Sequence, residues 1–365
     1  MGAIIEVMTT TIRTHINSLT PAPAPHDYER FTPREVLAAA PDFLATAAGR
    51  PPKHPHPLAD ALKLRDVAYA IALKRRPKQA SDTDTRVMMR GLAAPEFLQL
   101  VIDAHLPTVL SLYNGASVEY RRFTAAVPVK DFRELDVRAF DGDLELQPLT
   151  ELQEIPFTPA PTPAAGNQIQ LRTFARMATL FRDWLLSDDM QAIERLFRTI
   201  AGAGTRTEAR LVTELLTSNP DLSDGQPVFN ADNTVATALD EAALGLGMAK
   251  LRQAAEQPGA SLNLPARHLV VAAELELAAN RLVHQADLQI QVSALADLPT
   301  GRWFLLPDPE LHPVVGLMHL SGSHMPLVLG GASKFEVDNP AVKVRLDTNA
   351  CVLRRTGIVR GGADL

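Results

Sequence analysis

Apolar residues at Ile193, Phe197, Ile200, Leu211 and Leu215 recur at the three-to-four spacing of one helix face. The spacing predicts one long helix over Ser187–Asn219, with Ser187 as N-cap and Asp188 and Asp189 set against the positive end of its dipole. Asn219-Pro220 ends it, because proline lacks an amide hydrogen and turns the residue before it away from helix. At about 1.5 Å per residue such a rod measures about 45–50 Å. The small residues Ala201-Gly202-Ala203-Gly204 at its middle invite close packing.

The same pattern predicts helices before the rod. Thr32 caps one that runs to about Ala48, with Pro33 as its first residue. A second, Leu58 to Arg76, turns Leu62, Leu64, Val67, Ala70 and Ile71 inward, and a third runs from Pro95 to Tyr113. The polar stretch Gln79–Arg86 reads as a linker, and the first two helices, set among prolines, are expected to bury little core alone. From Val118 to Phe140 the period changes to that of a strand, carried by Val127, Val129, Phe132, Leu135 and Val137. Residues 141–167 are rich in proline and carboxylates and hold no Lys or Arg, so they read as a long extended loop. Gln168 to Leu180 returns as a strand, which makes a protruding hairpin just before the rod. After the rod come a turn-rich connection over 221–234, a helix over Ala236–Glu256, a buried strand at Arg267–Ala272 and a helix over Ala273–Gln285. Short strands are expected at Leu288–Val292, Trp303–Leu306, His312–His319 and Leu327–Leu329. Two final strands, Val342–Asp347 and Cys351–Val359, are expected to join through a turn at Thr348-Asn349. The class is α+β, without the regular alternation of a doubly wound sheet.

Composition narrows the function. The chain has 365 residues, enough to bury a large core, and a formal charge of −6, which counts against a protein that coats nucleic acid. One cysteine, Cys351, excludes an internal disulfide framework and sits in an apolar strand as a small hydrophobe. No apolar run reaches the roughly 18 residues of a membrane span. The start MGAIIEVMTT lacks a signal peptide's basic segment and apolar core, and Glu6 stands where a myristoylation motif needs Ser or Thr. A soluble, cytosolic protein is expected. Phosphate-loop, nucleophile-elbow and zinc-helix motifs are missing from the sequence. Gly202-Ala-Gly204 lies inside a helical pattern with no strand before it, so it reads as packing rather than a dinucleotide loop. His54 and His56 lack acidic or cysteine companions for a metal. His319 and His324 flank Ser321-Gly322-Ser323, yet no Asp or Glu stands near them in sequence to orient an imidazole for a hydrolase. The run Asp141–Glu154 is poorly spaced for calcium. The expectation is no catalytic, cofactor or metal residue.

Four stretches carry a resemblance. ARMATLFRDWLLSDDM from Ala175, and LLTSNPDLSDGQPVFNADN over Leu215–Asn233, resemble the segments that enter and leave the long helix in major capsid proteins of Mu-like tailed phages. Asn230 and Asn233 stand where that family has histidines. VPVKDF at Val127–Phe132 looks like the family's approach to its extended loop, and KVRLDTNACVLRRTG at Lys343–Gly357 looks like its C-terminal motif, with Arg354 where an aspartate is usual. The resemblance spans about residues 88–365 and implies the HK97-type shell fold. It implies an N-terminal arm or scaffold-like helical region at 1–87, a helix leading into the P-domain at 88–125 and an E-loop at 126–180. It further implies a spine helix of the P-domain at 181–230, an A-domain at 231–315, P-domain strands at 316–350 and a final A-domain strand and tail at 351–365. The implied function is a major head protein that forms hexamers and pentamers of an icosahedral shell around double-stranded DNA without sequence-specific binding. Its implied partners are portal, scaffold or protease and decoration proteins, with no membrane. Its implied location is the virion, after assembly in the host cytoplasm. An encapsulin-type compartment of the same fold is the alternative. At the E-loop tip, Leu144, Leu146, Leu149, Leu152, Ile155 and Phe157 supply apolar contacts, and Glu151 and Glu154 are free to meet basic groups of a neighbour.

Overall fold

The computed structural model describes residues 30–116, 118–137, 140–141, 162–163, 167–257, 260–322, 325–331 and 341–363. They fall into two compact units. One takes the chain up to Ala104 together with Leu180–Met190; the other takes His105–Thr179, Gln191–Gly331 and Ala341–Leu365.

In the first unit, helix α1 (Pro33–Ala47) opens with a capping box: Thr32 Oγ1 accepts from the Glu35 amide, and the Glu35 carboxylate accepts from the Thr32 amide. It buries Val36, Ala39, Ala40 and Leu44 against α2 (Leu64–Arg75), which begins later than its pattern predicts because Ala59–Ala61 forms a separate short 3-10 turn. The expected linker Gln79–Arg86 is shorter than its polarity suggests. Thr83 accepts from the Arg86 amide and starts helix α3 (Asp84–Leu92). Gly91 of α3 lies so close to α2 that a Cβ there would stand 1.7 Å from the Ala68 carbonyl oxygen. The N-terminal helices therefore bury more core than expected, with Val67, Ala68, Ile71, Val87, Met88 and Leu92 all closed to solvent. Helix α4 (Pro95–Gly115) follows, its first half in this unit. The short helix α5 (Arg182–Leu186) also belongs here. Ser187 closes α5 instead of capping the rod, and Asp188 adopts a left-handed backbone (φ 61°) from which Oδ1 accepts the Leu64 amide at 2.8 Å. That bond caps α2, whose own N-cap residue, Lys63, offers no side-chain oxygen.

The second unit opens with the latter half of α4, and β1 (Thr124–Val129) follows a 3-10 turn at Glu119–Arg122 where strand was expected. Strands β2 (Leu135–Val137) and β3 (Phe140–Asp141) pair antiparallel with β5 (Asn167–Ile169) and β4 (Thr162–Pro163), so the two legs of the predicted hairpin are present. Strand β6 (Arg172–Thr179) follows the returning leg. Then comes the rod, helix α6, which runs Met190–Ser218 over 29 residues. Asn219 closes it with a positive φ of 46°, and its side chain both donates to the Phe229 carbonyl and accepts the Phe229 amide, pinning the exit loop.

Beyond the exit lie β7 (Thr234–Val235) and α7 (Glu241–Gln253). The latter begins five residues later than predicted because the Asp240 carboxylate caps it through the Ala243 amide. The predicted helix end is instead strand β8 (Ala255–Gln257), paired with β9 (Ala260–Ser261). Strand β10 (His268–Ala272), helix α8 (Glu276–Gln285), β11 (Gln291–Leu295) and β12 (Trp303–Leu306) come next, β11 displaced by a left-handed turn at Asp287. Last are β13 (Val315–Leu320), β14 (Leu327–Gly331), β15 (Ala341–Val352) and β16 (Val359–Gly361). No turn forms at Thr348-Asn349. Both residues lie inside the single strand β15, where Thr348 donates to the Met318 carbonyl and Asn349 to the Gln170 carbonyl. These bonds satisfy polar groups whose sequence suggested a turn.

Among the described residues, one sheet runs β1-β13-β15-β14 with β6 also on β15, and another runs β11-β10-β12-β16-β7. The second sheet is covered on both faces. Val270, Phe304 and Leu306 pack with Leu211, Leu215 and Phe229, while Leu269, Val271, Trp303 and Leu305 pack with Leu244, Leu251 and Val283. This explains why His268–Ala272 and Trp303–Leu306 read as uninterrupted apolar runs. The class is α+β, as the sequence indicates.

Candidate assembly site

The rod supplies the geometry around which the second unit is built. Ile193, Phe197, Ile200, Leu211 and Leu215 are 0, 1, 4, 6 and 8% exposed, so all five lie on its buried face. The Phe197 ring stacks on His105 at 4.7 Å between centroids. Gly204 admits a close neighbour, because a Cβ there would meet the Tyr113 ring and Pro326 at 3.1 Å.

One residue of that face escaped the sequence reading. Glu208, four residues after Gly204, is fully buried. Its carboxylate accepts the Tyr113 and Tyr120 hydroxyls, each at 2.5 Å, and Arg121 Nη2 stands 3.5 Å away. His319 Nδ1 lies 3.9 Å from the same carboxylate, so this histidine does have an acidic neighbour, contrary to expectation. Sequence distance hid it. Burial, and then the Glu208 charge, pushes both tyrosine hydroxyls above their ordinary titration range. The Arg121 guanidinium covers the Tyr113 ring at 4.6 Å. A helix, a 3-10 turn, the rod and β13 thus meet on one buried carboxylate. The helical phase from Gly204 through Glu208 to Leu211 is the signal that marks it in the sequence.

Other polar contacts fix the motif-bearing strands. Arg345 grips Asp347 from 2.7 Å while Thr173 of β6 donates to the same carboxylate. Burial opposes the Asp347 charge, and these bonds prevail, holding its carboxyl below the usual range. Arg355 binds Asp224 through two 2.9 Å bonds and also reaches the Gln226 and Pro227 carbonyls, tying the last segment to the rod's exit loop. Asn233 accepts the Asn230 amide and donates to the Val228 carbonyl, so both asparagines hold the turn. Arg354 is buried beside His312, with 3.2 Å between Nη1 and Nδ1. Cys351 is buried toward the Gly316 carbonyl, and burial pushes its thiol up to about 12, which leaves it a poor nucleophile. His56 organises the proline-rich turn through the Asp42 carboxylate and the Leu58 amide. Among the described residues no group of His, Cys, Asp or Glu is arranged to hold a metal, and no helix is long and apolar enough to cross a membrane. The tip residues Leu144, Leu146, Leu149, Glu151, Leu152, Glu154, Ile155 and Phe157 lie outside the described residues, as do Ser323 and His324.

A family model described as phage capsid protein matches residues 166–361. The chain belongs to that family. The match begins at the hairpin's returning leg and takes in the rod and the strands through β16. No curated protein matches this capsid protein. Among solved structures, a phage-related protein from Bordetella bronchiseptica is similar at 11% identity and a TM-score of 0.46, over 70% of this chain and 96% of that one. A satellite phage P4 procapsid is similar at 12% identity and a TM-score of 0.40, over 71% of this chain and 99% of that one. An encapsulin complex from Synechococcus elongatus gives 12% and 0.43, over 67% of this chain and 86% of that one. At these scores the likenesses assign nothing further to the capsid protein. Membership in a capsid family points to a structural role rather than a catalytic one, and to the virion as the place where it acts.

Proposed function

We propose that this capsid protein is the major head subunit of a Mu-like tailed phage or prophage. Copies assemble as hexamers and pentamers into an icosahedral shell around double-stranded DNA. The observation that carries the reading is the family match across residues 166–361, which takes in the rod and every strand of the two five-stranded sheets except β1. A rigid body suits a shell subunit, and the bond network on Glu208 supports rigidity at the rod's centre. A charge of −6 suits a container that holds DNA without gripping it.

In this reading 126–180 serves as the E-loop, α6 as the spine of the P-domain, and 231–315 with the last strand as the A-domain. Residues 1–87 act as an arm or internal scaffold, a role supported by the core that α1, α2 and α3 form. Assembly takes place in the host cytoplasm with portal, scaffold or protease and decoration proteins. Light scattering of the purified chain tests the proposal. Particles in the megadalton range that protect DNA in the native host are expected. A stable monomer near 39.6 kDa at high concentration would contradict it.

A further inference from the structure

Charge is unevenly spread along the chain. Residues 30–104 carry 12 Lys or Arg against 8 Asp or Glu, whereas the rest of the chain carries 24 against 34. The whole of that local excess sits in residues 74–90, where six cations face only Asp82 and Asp84. The fold gathers these cations at one corner of the first unit. Helices α2 and α3 pack side by side, Gly91 against Ala68. Asp82 holds the turn between them, its carboxylate accepting the Gln79 amide at 3.2 Å and its own amide donating to the Gln79 carbonyl. The end of α2 and the length of α3 thus present Lys74, Arg75, Arg76, Lys78, Arg86 and Arg90 together.

Three carboxylates answer the six cations. Glu96 stands 3.5 Å from Arg75, Asp84 2.6 Å from Lys78 and Asp82 3.2 Å from Arg90. Lys74, Arg76 and Arg86 are exposed, and no carboxylate of a described residue pairs with them. The Gln79 amide, and then the charges of Arg90, Arg76 and Arg86, hold the Asp82 carboxyl below its ordinary range. Three guanidinium groups therefore lie within the field of one carboxylate and outnumber it. Beside them Gln79, Ser81, Thr83 and Thr85 are exposed, and residues 74–92 expose no large apolar side chain. Cations set among hydroxyl and amide groups are the donors that meet phosphate oxygens of a nucleic-acid backbone, where no base is read. An acidic peptide rich in leucine, such as residues 142–161, needs an apolar seat that this corner does not offer.

We propose that the corner formed by the end of α2 and by α3 binds the phosphates of double-stranded DNA without reading sequence, through Lys74, Arg76 and Arg86. This rests on the capsid reading, which supplies the DNA. The rest of the chain is acidic, so attachment is confined to this corner and is weak. Contacts to about three phosphates give binding that salt removes, with log affinity falling against log salt at a slope of about −3.

Fluorescence anisotropy of a mixed-sequence DNA duplex, titrated with the full-length subunit before assembly, tests the proposal. The wild-type chain is expected to bind at low salt with that slope, and absence of binding overturns the proposal. Lys74→Glu with Arg76→Glu and Arg86→Glu changes exposed residues only. This variant is expected to keep the wild-type melting temperature, to bind roughly tenfold more weakly or worse, and to lose most of the salt slope. Lys74→Arg with Arg76→Lys and Arg86→Lys preserves the charge and is expected to preserve the affinity. Unchanged binding in the reversed variant overturns the proposal, as does loss of binding in the variant that keeps the charge. An equal loss from Arg195→Glu with Arg206→Glu, exposed on the rod, overturns the assignment to this corner. A peptide of residues 142–161 that binds the corner more tightly than the duplex does overturns the assignment to DNA. A wild-type chain that binds DNA through the corner yet forms no particles overturns the capsid reading and supports the corner, which separates the two failures.

Discussion

Glu208 is the residue on which most of the rod's surroundings converge. A buried carboxylate is costly unless its lone pairs are filled, and two tyrosine hydroxyls with Arg121 fill them here. Glu208→Ala removes the acceptor of two buried hydroxyls, at a cost of about 1–3 kcal/mol for each one left unpaired, while Arg121 keeps its bond to the Tyr113 carbonyl. Glu208→Gln keeps an acceptor oxygen and costs less. Denaturant melting of the unassembled subunit orders the two variants, and equal stability for both would deny the cluster its role. The tyrosines add a pH dependence. Their hydroxyls titrate higher in the folded chain than in the unfolded one, so the folded state holds its protons longer. The stability they contribute is full below about pH 10, the ordinary tyrosine value. It falls as pH rises above that value and the unfolded chain releases those protons. A chain with Tyr113→Phe and Tyr120→Phe is expected to show a shallower loss between about pH 10 and 12.

At the scale of elements, the rod carries the heaviest demand on packing. Phe197→Asp places an unpaired charge where Phe197 is 1% exposed and stacked on His105, costing several kcal/mol. The variant is expected to yield no soluble folded subunit on expression, and normal particles would contradict the burial. The rod, the helices α1 and α4 and the strand Trp303–Leu306 were legible from local periodicity and capping residues, because each is set by neighbours in sequence. What misled was set from afar. The break at Ser187–Asp189 has no proline or glycine, and within it Asp188 accepts the Leu64 amide, 124 residues away along the chain. The continuity of β15 through Thr348-Asn349 depends on carbonyls of Met318 and Gln170. Glu208 drew no notice in the sequence, because Tyr113, Tyr120 and His319 are brought to it only by the fold. The sequence also assigned function to the hairpin tip, which stands as a proposal.

The whole molecule is expected to act as one of many copies held by contacts that no covalent bond supplements. The tip contains no lysine; the nearest, Lys130, lies at the hairpin's base. Cys351 is buried with a thiol of raised pKa. Mature particles boiled without reductant are therefore expected to run as one band near 39.6 kDa, and a ladder of linked oligomers would contradict non-covalent locking. Acid and salt weaken the contacts, the first by protonating tip carboxylates and the second by screening them. The most direct test of the central claim is a cryo-EM reconstruction of the particles formed by the full chain. Closed icosahedral shells of hexamers and pentamers are expected, with the hairpin tip of one subunit resolved on a neighbouring subunit. Discrete small oligomers, or shells in which that segment folds back on its own subunit, would contradict it.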